Sequence, residues 1–362
     1  MPALHAVILA GGSGTRFWPA SRAKRPKQLL PLARGRSLIG ATFDRLLGLV
    51  DPSRIWVITN PEQADAVRTA LPELHEDRLL VEPEARDTAP CVAFATARVE
   101  AEDPGATVVF LPADHLIEPV ERFQALLARG AAIAAAHGAL VTFGIRPRHA
   151  ATGYGYVQPG RPVDDEEPRA CFVDRFREKP DLDTAKAYVA TGRMLWNSGI
   201  FVWTHTGLTA AMEAGAPALA GHARLMLDAF RTGDGAAAEA AFRACPRISV
   251  DYAVLEQAPR VAVVEADLDW NDVGSFAALP SVSPADPAGN STFLVEDARA
   301  VLLDARNCVV YGDGPRTVAL FGVEDLVVVQ TGDAILVCPR SRAEELKARQ
   351  AELRSRGCED LL

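Results

Sequence analysis

The stretch Ala6-Val-Ile-Leu-Ala-Gly-Gly-Ser-Gly-Thr-Arg-Phe-Trp-Pro-Ala-Ser-Arg-Ala-Lys-Arg-Pro-Lys-Gln28 decides the reading of this chain. Its apolar start, Ala6 to Ala10, predicts a buried strand. The strand breaks at once into Gly11-Gly12-Ser13-Gly14, a loop open to backbone angles closed to other residues, so its N–H groups can approach a ligand closely. Arg16 follows, then Lys27 after Pro26. Glycine amides with two cations describe a cradle for a polyphosphate. The glycine loop taken alone is equally compatible with a plain turn.

Neither of the common phosphate loops fits. A Walker A loop needs Gly-Lys before Ser or Thr, and here Thr15-Arg16 follows the last glycine. The dinucleotide fingerprint opens a helix, and Pro19 interrupts too early for that. The longer string of Gly-Gly-Ser-Gly-Thr-Arg, Trp-Pro, Ser-Arg and Pro-Lys-Gln is more specific. It resembles the signature of the sugar-1-phosphate nucleotidyltransferases and, within them, the mannose-1-phosphate guanylyltransferases. The resemblance implies that Gly11, Gly12, Ser13, Gly14, Thr15 and Arg16 bind nucleotide, and that Arg16 and Lys27 serve catalysis.

The 362 residues suffice for one large domain and a small one. A net charge of −9 argues against a general nucleic-acid binder, yet the N-terminal stretch is locally basic, with Arg16, Arg22, Lys24, Arg25 and Lys27. The six cysteines are scattered without a Cys-x-x-Cys, which suggests neither a disulfide framework nor a zinc site and fits a reducing cytoplasm. No apolar run approaches the roughly 20 residues of a membrane span, and no signal peptide is expected.

Strands are expected at 54–59, 78–82, 106–111 and 139–144, alternating with helices at 37–50, 63–71, 88–102 and 120–137. This alternation predicts an α/β, Rossmann-like, mostly parallel sheet with helices on both faces. Ligands bind such sheets at the carboxyl ends of strands, where the glycine loop, Glu82-Pro83 and Pro112-Ala-Asp-His115 all fall.

Guanine offers N1–H and N2–H donors side by side, and one carboxylate can accept both. Glu82 is the candidate. The segment Glu82 to Pro90 resembles the guanylyltransferase motif Glu-Pro-x-x-Arg-Asn-Thr-Ala-Pro, with Asp87 where the family usually has Asn. Asp87 and Thr88 are read either as nucleotide contacts or as caps of the following helix. Asp114 is read either as a cap or as a ligand for Mg2+ or another divalent cation, and the string Leu-Pro-Ala-Asp-His resembles the family's metal-binding element. His115 orients Asp114 or simply packs.

Residues 151–157 and 172–180 are expected as strands of a mixed second part of the sheet. Gly153 and Gly155 admit a ligand or a bulge. The Tyr154-Gly155-Tyr156, Glu178-Lys179-Pro180 and Trp196-Asn197-Ser198-Gly199 strings follow the order the family uses for its sugar-binding half. They nominate Gly144, Tyr154, Gly155, Glu178, Lys179 and Asn197 as the sugar pocket, with carboxylate and amide for hydroxyls and lysine for the phosphate. A surface ion pair at Glu178-Lys179 is the alternative. Trp196 and Phe201 are expected in the core, and 207–245 as Ala-rich packing helices. Arg247 to Glu256 resembles the family's Ser-Ile-Asp-Tyr-Ala-Val-Met-Glu element, and in it Asp251 either contacts ligand or caps the following helix, the cap being favoured. Trp270-Asn-Asp-Val-Gly-Ser resembles the element that supplies a second metal carboxylate, Asp272, which only the fold can bring to Asp114.

Residues 1–280 are thus expected to form a nucleotidyltransferase domain. Residues 281–362 are expected to form a small β-rich, β-helix-like domain ending in a helix. Many relatives continue into an isomerase domain, and the transferase alone is expected here. The resemblance implies attack of mannose 1-phosphate on the α-phosphorus of GTP, giving GDP-mannose and pyrophosphate, in a cytoplasmic homodimer. A sister enzyme with another nucleotide or sugar phosphate, and a non-catalytic sugar-nucleotide sensor, are the rival readings.

Overall fold

The computed structural model describes residues 3–12, 14–281 and 283–358, so Ser13 of the predicted loop lies outside the described residues. The first half alternates as expected: β1 Leu4–Leu9, α1 Leu38–Asp44, β2 Ile55–Thr59, α2 Ala64–Ala70, β3 Leu79–Val81, α3 Thr88–Glu102 and β4 Thr107–Pro112. A short β5 Leu116–Glu118, α4 Val120–His137 and β6 Leu140–Ile145 follow. The second half adds β7 Tyr156–Pro162, β8 Ala170–Arg177, α5 Leu182–Thr191, β9 Leu195–Thr204, then α6 His205–Gly215, α7 Pro217–Thr232 and α8 Gly235–Arg243. After β10 Val261–Ala266 and β11 Asp269–Asn271 come six short strands: β12 Ser291–Val295, β13 Arg299–Leu303, β14 Val309–Asp313, β15 Thr317–Phe321, β16 Leu326–Gln330 and β17 Ile335–Pro339. The chain then enters α9 Leu346–Ser355.

Nine strands make one sheet in the order β3-β2-β1-β4-β9-β6-β10-β8-β7. Its first four strands are parallel, whereas β9 runs antiparallel to both β4 and β6. The sheet is therefore mixed. Alternate residues of its strands enter two different cores, as a sheet covered on both faces requires. Ile8, Val57 and Val109 join α1, α2 and α4 on one face, and Val7, Trp56 and Val108 join α3 and α6 to α8 on the other. Local signals set the helix ends. The side chains of Ser37, Thr204 and Asp234 cap α1, α6 and α8, and Gly138 and Gly233 end α4 and α7 in the left-handed conformation.

Three expectations are corrected. The helix expected over 37–50 ends at Asp44, and the chain then turns, with Gly48 at φ +90°. The strand expected from Ala151 begins only at Tyr156, so Gly153, Tyr154 and Gly155 lie in a loop. The strand expected to Pro180 ends at Arg177, and Glu178 and Lys179 stand beyond it, Lys179 at φ +42°.

The C-terminal strands coil as a parallel β-helix. Ser291 pairs with Val309 and Val309 with Val327, so one rung takes 18 residues, and β13 pairs with β15 at the same spacing. β17 closes the stack antiparallel to β16. A third core joins this coil to the glycine-loop region: Phe17, Leu30, Val273 and Phe276 pack with Val309, Tyr311 and Val327.

Candidate active site

β1 lies between β2 and β4, so the loop that leaves its carboxyl end opens at the switch point of the sheet. Three side chains, Gln28, Thr59 and Gln63, hold that loop from beneath. The Gln28 amide donates to the carbonyls of Ala10 (2.9 Å) and Gly12 (3.1 Å), and Thr59 donates to Ala10 as well (3.0 Å). Gln63 accepts from Gln28 at 3.1 Å. Gly14 has φ +58°, and a Cβ there would fall 2.2 Å from the Lys27 Cβ, so only glycine lets Lys27 pass so close. Arg16 is exposed at the mouth. Its Nη1 lies 3.3 Å from where a Cβ on Gly274 would stand, a point 3.4 Å from both Asp272 carboxylate oxygens.

Lys27 is buried and gathers the two aspartates. Its Nζ donates to Asp114 Oδ2 at 2.7 Å and to the backbone carbonyl of Asp272 at 2.5 Å. The pairing of Asp114 with Asp272 across 158 residues has a simple cause. β5 and β11 form a two-stranded ribbon in which Leu116 faces Asn271, so Asp114 and Asp272 leave the same end of it. Burial alone would raise the Asp114 carboxyl, but the Lys27 ammonium, His115 and the hydrogen bonds the carboxylate accepts together outweigh it and hold the group below the usual carboxylate range. Asp272 Oδ1 accepts the Tyr154 hydroxyl at 2.8 Å. Val273, next in the chain, is fully buried at φ +46°, a strained position for a β-branched residue.

Each carboxylate keeps one oxygen to which no described side chain hydrogen-bonds. Among the described residues no group of three or more His, Cys, Asp or Glu could hold an ion alone. Two carboxylates open to substrate suit a hard cation such as Mg2+, which fills its shell with phosphate oxygens and water. His115 accepts from the Trp270 indole on Nδ1 (3.2 Å), and burial holds its pKa below the ordinary value.

Glu82 follows β3 and faces the glycine loop: a Cβ on Gly11 would lie 3.4 Å from its Oε1. The carboxylate is 7% exposed and has no hydrogen-bond partner among the described residues. Burial pushes its pKa up to about 7. Asp87 caps α3, accepting from the Thr88 N–H at 2.8 Å, and sits at φ +66°, ψ −175°, a strained backbone region that residues other than glycine rarely enter. Thr88 Oγ1 accepts from the Val250 N–H, tying α3 to the segment before Asp251.

Across the cleft, Gly155, Glu178, Lys179 and Asn197 converge. A Cβ on Gly155 would fall 2.5 Å from Glu178 Oε2 and 3.2 Å from the Asn197 Cβ. Lys179 Nζ meets Glu178 Oε1 at 2.8 Å, and Glu178 is buried, so this is no ordinary surface pair. Asn197 Oδ1 accepts from Thr142 at 2.7 Å, and its Nδ2 donates to Asp251 at 3.2 Å. Gly144 lies mid-strand in β6, and the space of its missing side chain is taken by Leu195 and Val263, so its small size serves packing.

The reading of Asp251 as a cap is overturned. It is the first residue of a single π-helical turn, Asp251–Leu255, and makes no cap bond. Burial, with the nearby Glu178, raises its carboxyl above the ordinary value. Residues that propensity could not single out, Thr59, Gln63, Thr142 and Asp251, thus brace the site. Only Asp251 stood in a string with a family resemblance.

The chain matches known proteins along nearly its whole length. The family described as Nucleotidyl transferase matches residues 5–288, and the MannoseP isomerase/GMP-like beta-helix domain matches residues 298–349. The mannose-1-phosphate guanylyltransferase of Klebsiella pneumoniae is 38% identical over 94% of this chain and 72% of its own length. The chain belongs to the mannose-1-phosphate guanylyltransferase family. A second member of these relatives, the xanthan biosynthesis protein XanB of Xanthomonas campestris pv. campestris (strain B100), is 38% identical over 97% of this chain and 73% of its own. The fold of the family is shared with a crystal structure from Thermus thermophilus, described as a mannose-1-phosphate geranyltransferase, at 34% identity and TM-score 0.86 over 97% of this chain and 99% of that one. The α/β sheet with its C-terminal β-helix is thus a family architecture. No helix among the described residues is long and apolar enough to cross a membrane.

Proposed function

We propose that the chain transfers GMP from GTP to mannose 1-phosphate, giving GDP-mannose and pyrophosphate, with residues 1–280 as the catalytic domain. The observation that carries this reading is Lys27 bound to both Asp114 and the Asp272 carbonyl below the glycine loop. The mannose 1-phosphate oxygen attacks the α-phosphorus of GTP, and pyrophosphate leaves. Both reactants are anions, so the site must neutralise charge and hold the attack in line.

Arg16 and the loop amides hold the triphosphate. Lys27 keeps Asp114 ionised and adds positive charge at the α-phosphate or the leaving group. Mg2+ held by Asp114 and Asp272 supplies further neutralisation of the phosphates. Glu82, ionised, accepts N1–H and N2–H of guanine, and its lack of a partner among the described residues supports that role. Asn197 is held by Thr142 and Asp251 with its amide orientation set, and with Glu178 it reads sugar hydroxyls while Lys179 takes the sugar phosphate.

The test is pyrophosphate release with mannose 1-phosphate and Mg2+ against GTP, ATP, UTP and CTP, with glucose 1-phosphate as control sugar. Release confined to GTP with mannose 1-phosphate supports the assignment. Release with another pair overturns the base or sugar assignment. No release from folded protein that still binds GDP-mannose favours a sensor.

A further inference from the structure

A cavity of about 640 Å3 opens away from the nucleotide cradle, under the β5–β11 ribbon. Neither the glycine loop nor Glu82, Glu178 or Asn197 lines it. Leu32, Ile117, Trp270 and Pro284 give it apolar wall, and Arg34, Arg36, Arg45 and Arg148 give it positive charge. Its volume is in the range of small-molecule sites.

Asp44, Glu118 and Asp269 line the cavity too, so most of this charge is paired and the four arginines exceed the carboxylates by one. Arg36 is held by Asp44 and Glu73. Arg34 meets Glu118 and Arg148 meets Asp269, each at 3.3 Å and each on the exposed rim. Such exposed pairs contribute little, so either arginine can exchange its carboxylate for a phosphate at small cost. Arg45 is 5% exposed and has no carboxylate partner among the described residues. Its two Nη groups donate to the His115 carbonyl at 3.0 Å, and one also donates to Thr42. A buried cation without a counter-ion favours an anionic neighbour.

The walls also touch the catalytic residues' supports. Trp270 lines the cavity and donates to His115, beside Asp114. Arg45 lines it and holds the His115 carbonyl. Asp114 and Asp272 leave one end of the ribbon whose residues form the roof.

We propose that this cavity is a second, regulatory site for a phosphate-bearing ligand of nucleotide size, which acts on Asp114 and Asp272 through the β5–β11 ribbon. The apolar wall takes the ligand's ring system and the rim arginines its phosphates.

The test is equilibrium dialysis of the full chain with GDP-mannose, GDP, GMP and inorganic phosphate in separate arms. Wild type is compared with Ala41→Phe, which fills the cavity, and with Arg34→Glu/Arg148→Glu, which reverses the rim charge. Wild type is expected to bind one more ligand per chain than either variant in at least one nucleotide arm. The same ligand should change wild-type turnover at saturating substrate by about fivefold or more, and leave the variants unaffected. Without ligand, the variants should keep kcat and KM within about twofold, as surface changes usually do. Equal stoichiometry in wild type and both variants with all four probes overturns the proposal, and a difference seen only with inorganic phosphate reduces it to an adventitious ion only. The difference between proteins cancels whatever the catalytic site binds, so the result stands apart from the proposed reaction.

Discussion

The Lys27 ammonium lies 2.7 Å from the Asp114 carboxylate, both held beneath a glycine that cannot be anything else. The pair is not a surface ornament, since Lys27 is buried and also donates to the backbone of Asp272. Removing its charge leaves Asp114 without its main counter-ion. Lys27→Met is expected to lower kcat by about 10²- to 10³-fold, the usual cost of losing one preorganised donor. Thermal melts show whether the fold survives, and a kcat within a few-fold of wild type would remove Lys27 from the mechanism.

Asp272 and Tyr154 give a second, sharper test. Asp272→Asn should abolish turnover in folded protein. Tyr154→Phe removes the hydroxyl that holds Asp272 Oδ1. Partners of metal-binding carboxylates typically matter about 10- to 100-fold in metal affinity, so the Mg2+ concentration for half-maximal rate should rise by that order. A rise in KM for mannose 1-phosphate with an unchanged Mg2+ requirement would instead make Tyr154 a sugar contact, as its string in the sequence suggests.

Glu82 should read both pH and base. Its free-state pKa of about 7 lies above the usual value, so below pH 7 the carboxyl is protonated and can no longer accept two guanine donors. The kcat/KM for GTP should therefore rise with pH through about 7. Glu82→Gln should flatten that limb and lose about 1–3 kcal/mol of preference for GTP over ATP.

The same shift has a stability consequence of opposite sense. A carboxyl whose folded pKa is raised makes the native state bind the extra proton, so stability falls as pH rises from about 4.5 to about 7. Glu82→Gln should stabilise the ligand-free protein at pH 8 by up to about 3 kcal/mol and have little effect at about pH 4. Denaturant melts at the two pH values measure this, and equal shifts at both would show that burial of the charge is not the cause.

Gly155 tests the sugar half. A methyl group there would collide with Glu178 Oε2 and crowd Asn197. Gly155→Ala is expected to raise KM for mannose 1-phosphate about 10- to 100-fold through misplaced side chains, with KM for GTP unchanged. An equal loss for both substrates would place the damage in the fold.

Much of the site is legible because its residues come in contiguous strings at the ends of regular elements. The strand-loop at Ala6 to Arg16, Glu82 after β3 and Asp114 after β4 all sit where an alternating apolar pattern stops. The supports are not legible. Gln63 reaches the glycine loop from the start of α2, and Thr142 reaches Asn197 from the adjoining strand β6. Neither residue type is unusual at its position, so nothing local marks it. Asp251 defeats the local reading because an Asp before a helical run is ordinarily a cap. Here burial beside Asn197 and Glu178 gives its carboxylate a different neighbour.

Apolar periodicity and glycine placement determined by themselves the alternating strands and helices, the glycine loop after β1 and the short C-terminal strands, since each depends on short-range sterics and on which face a side chain takes. Only the tertiary structure decided that β9 threads the sheet antiparallel and that the β5–β11 ribbon carries Asp114 to Asp272. It likewise decided that the β-helix packs on the loop residues Phe17 and Leu30. Those are pairings between segments far apart in the chain. Their free energy comes from burial and hydrogen bonds made across the fold, which no local window contains.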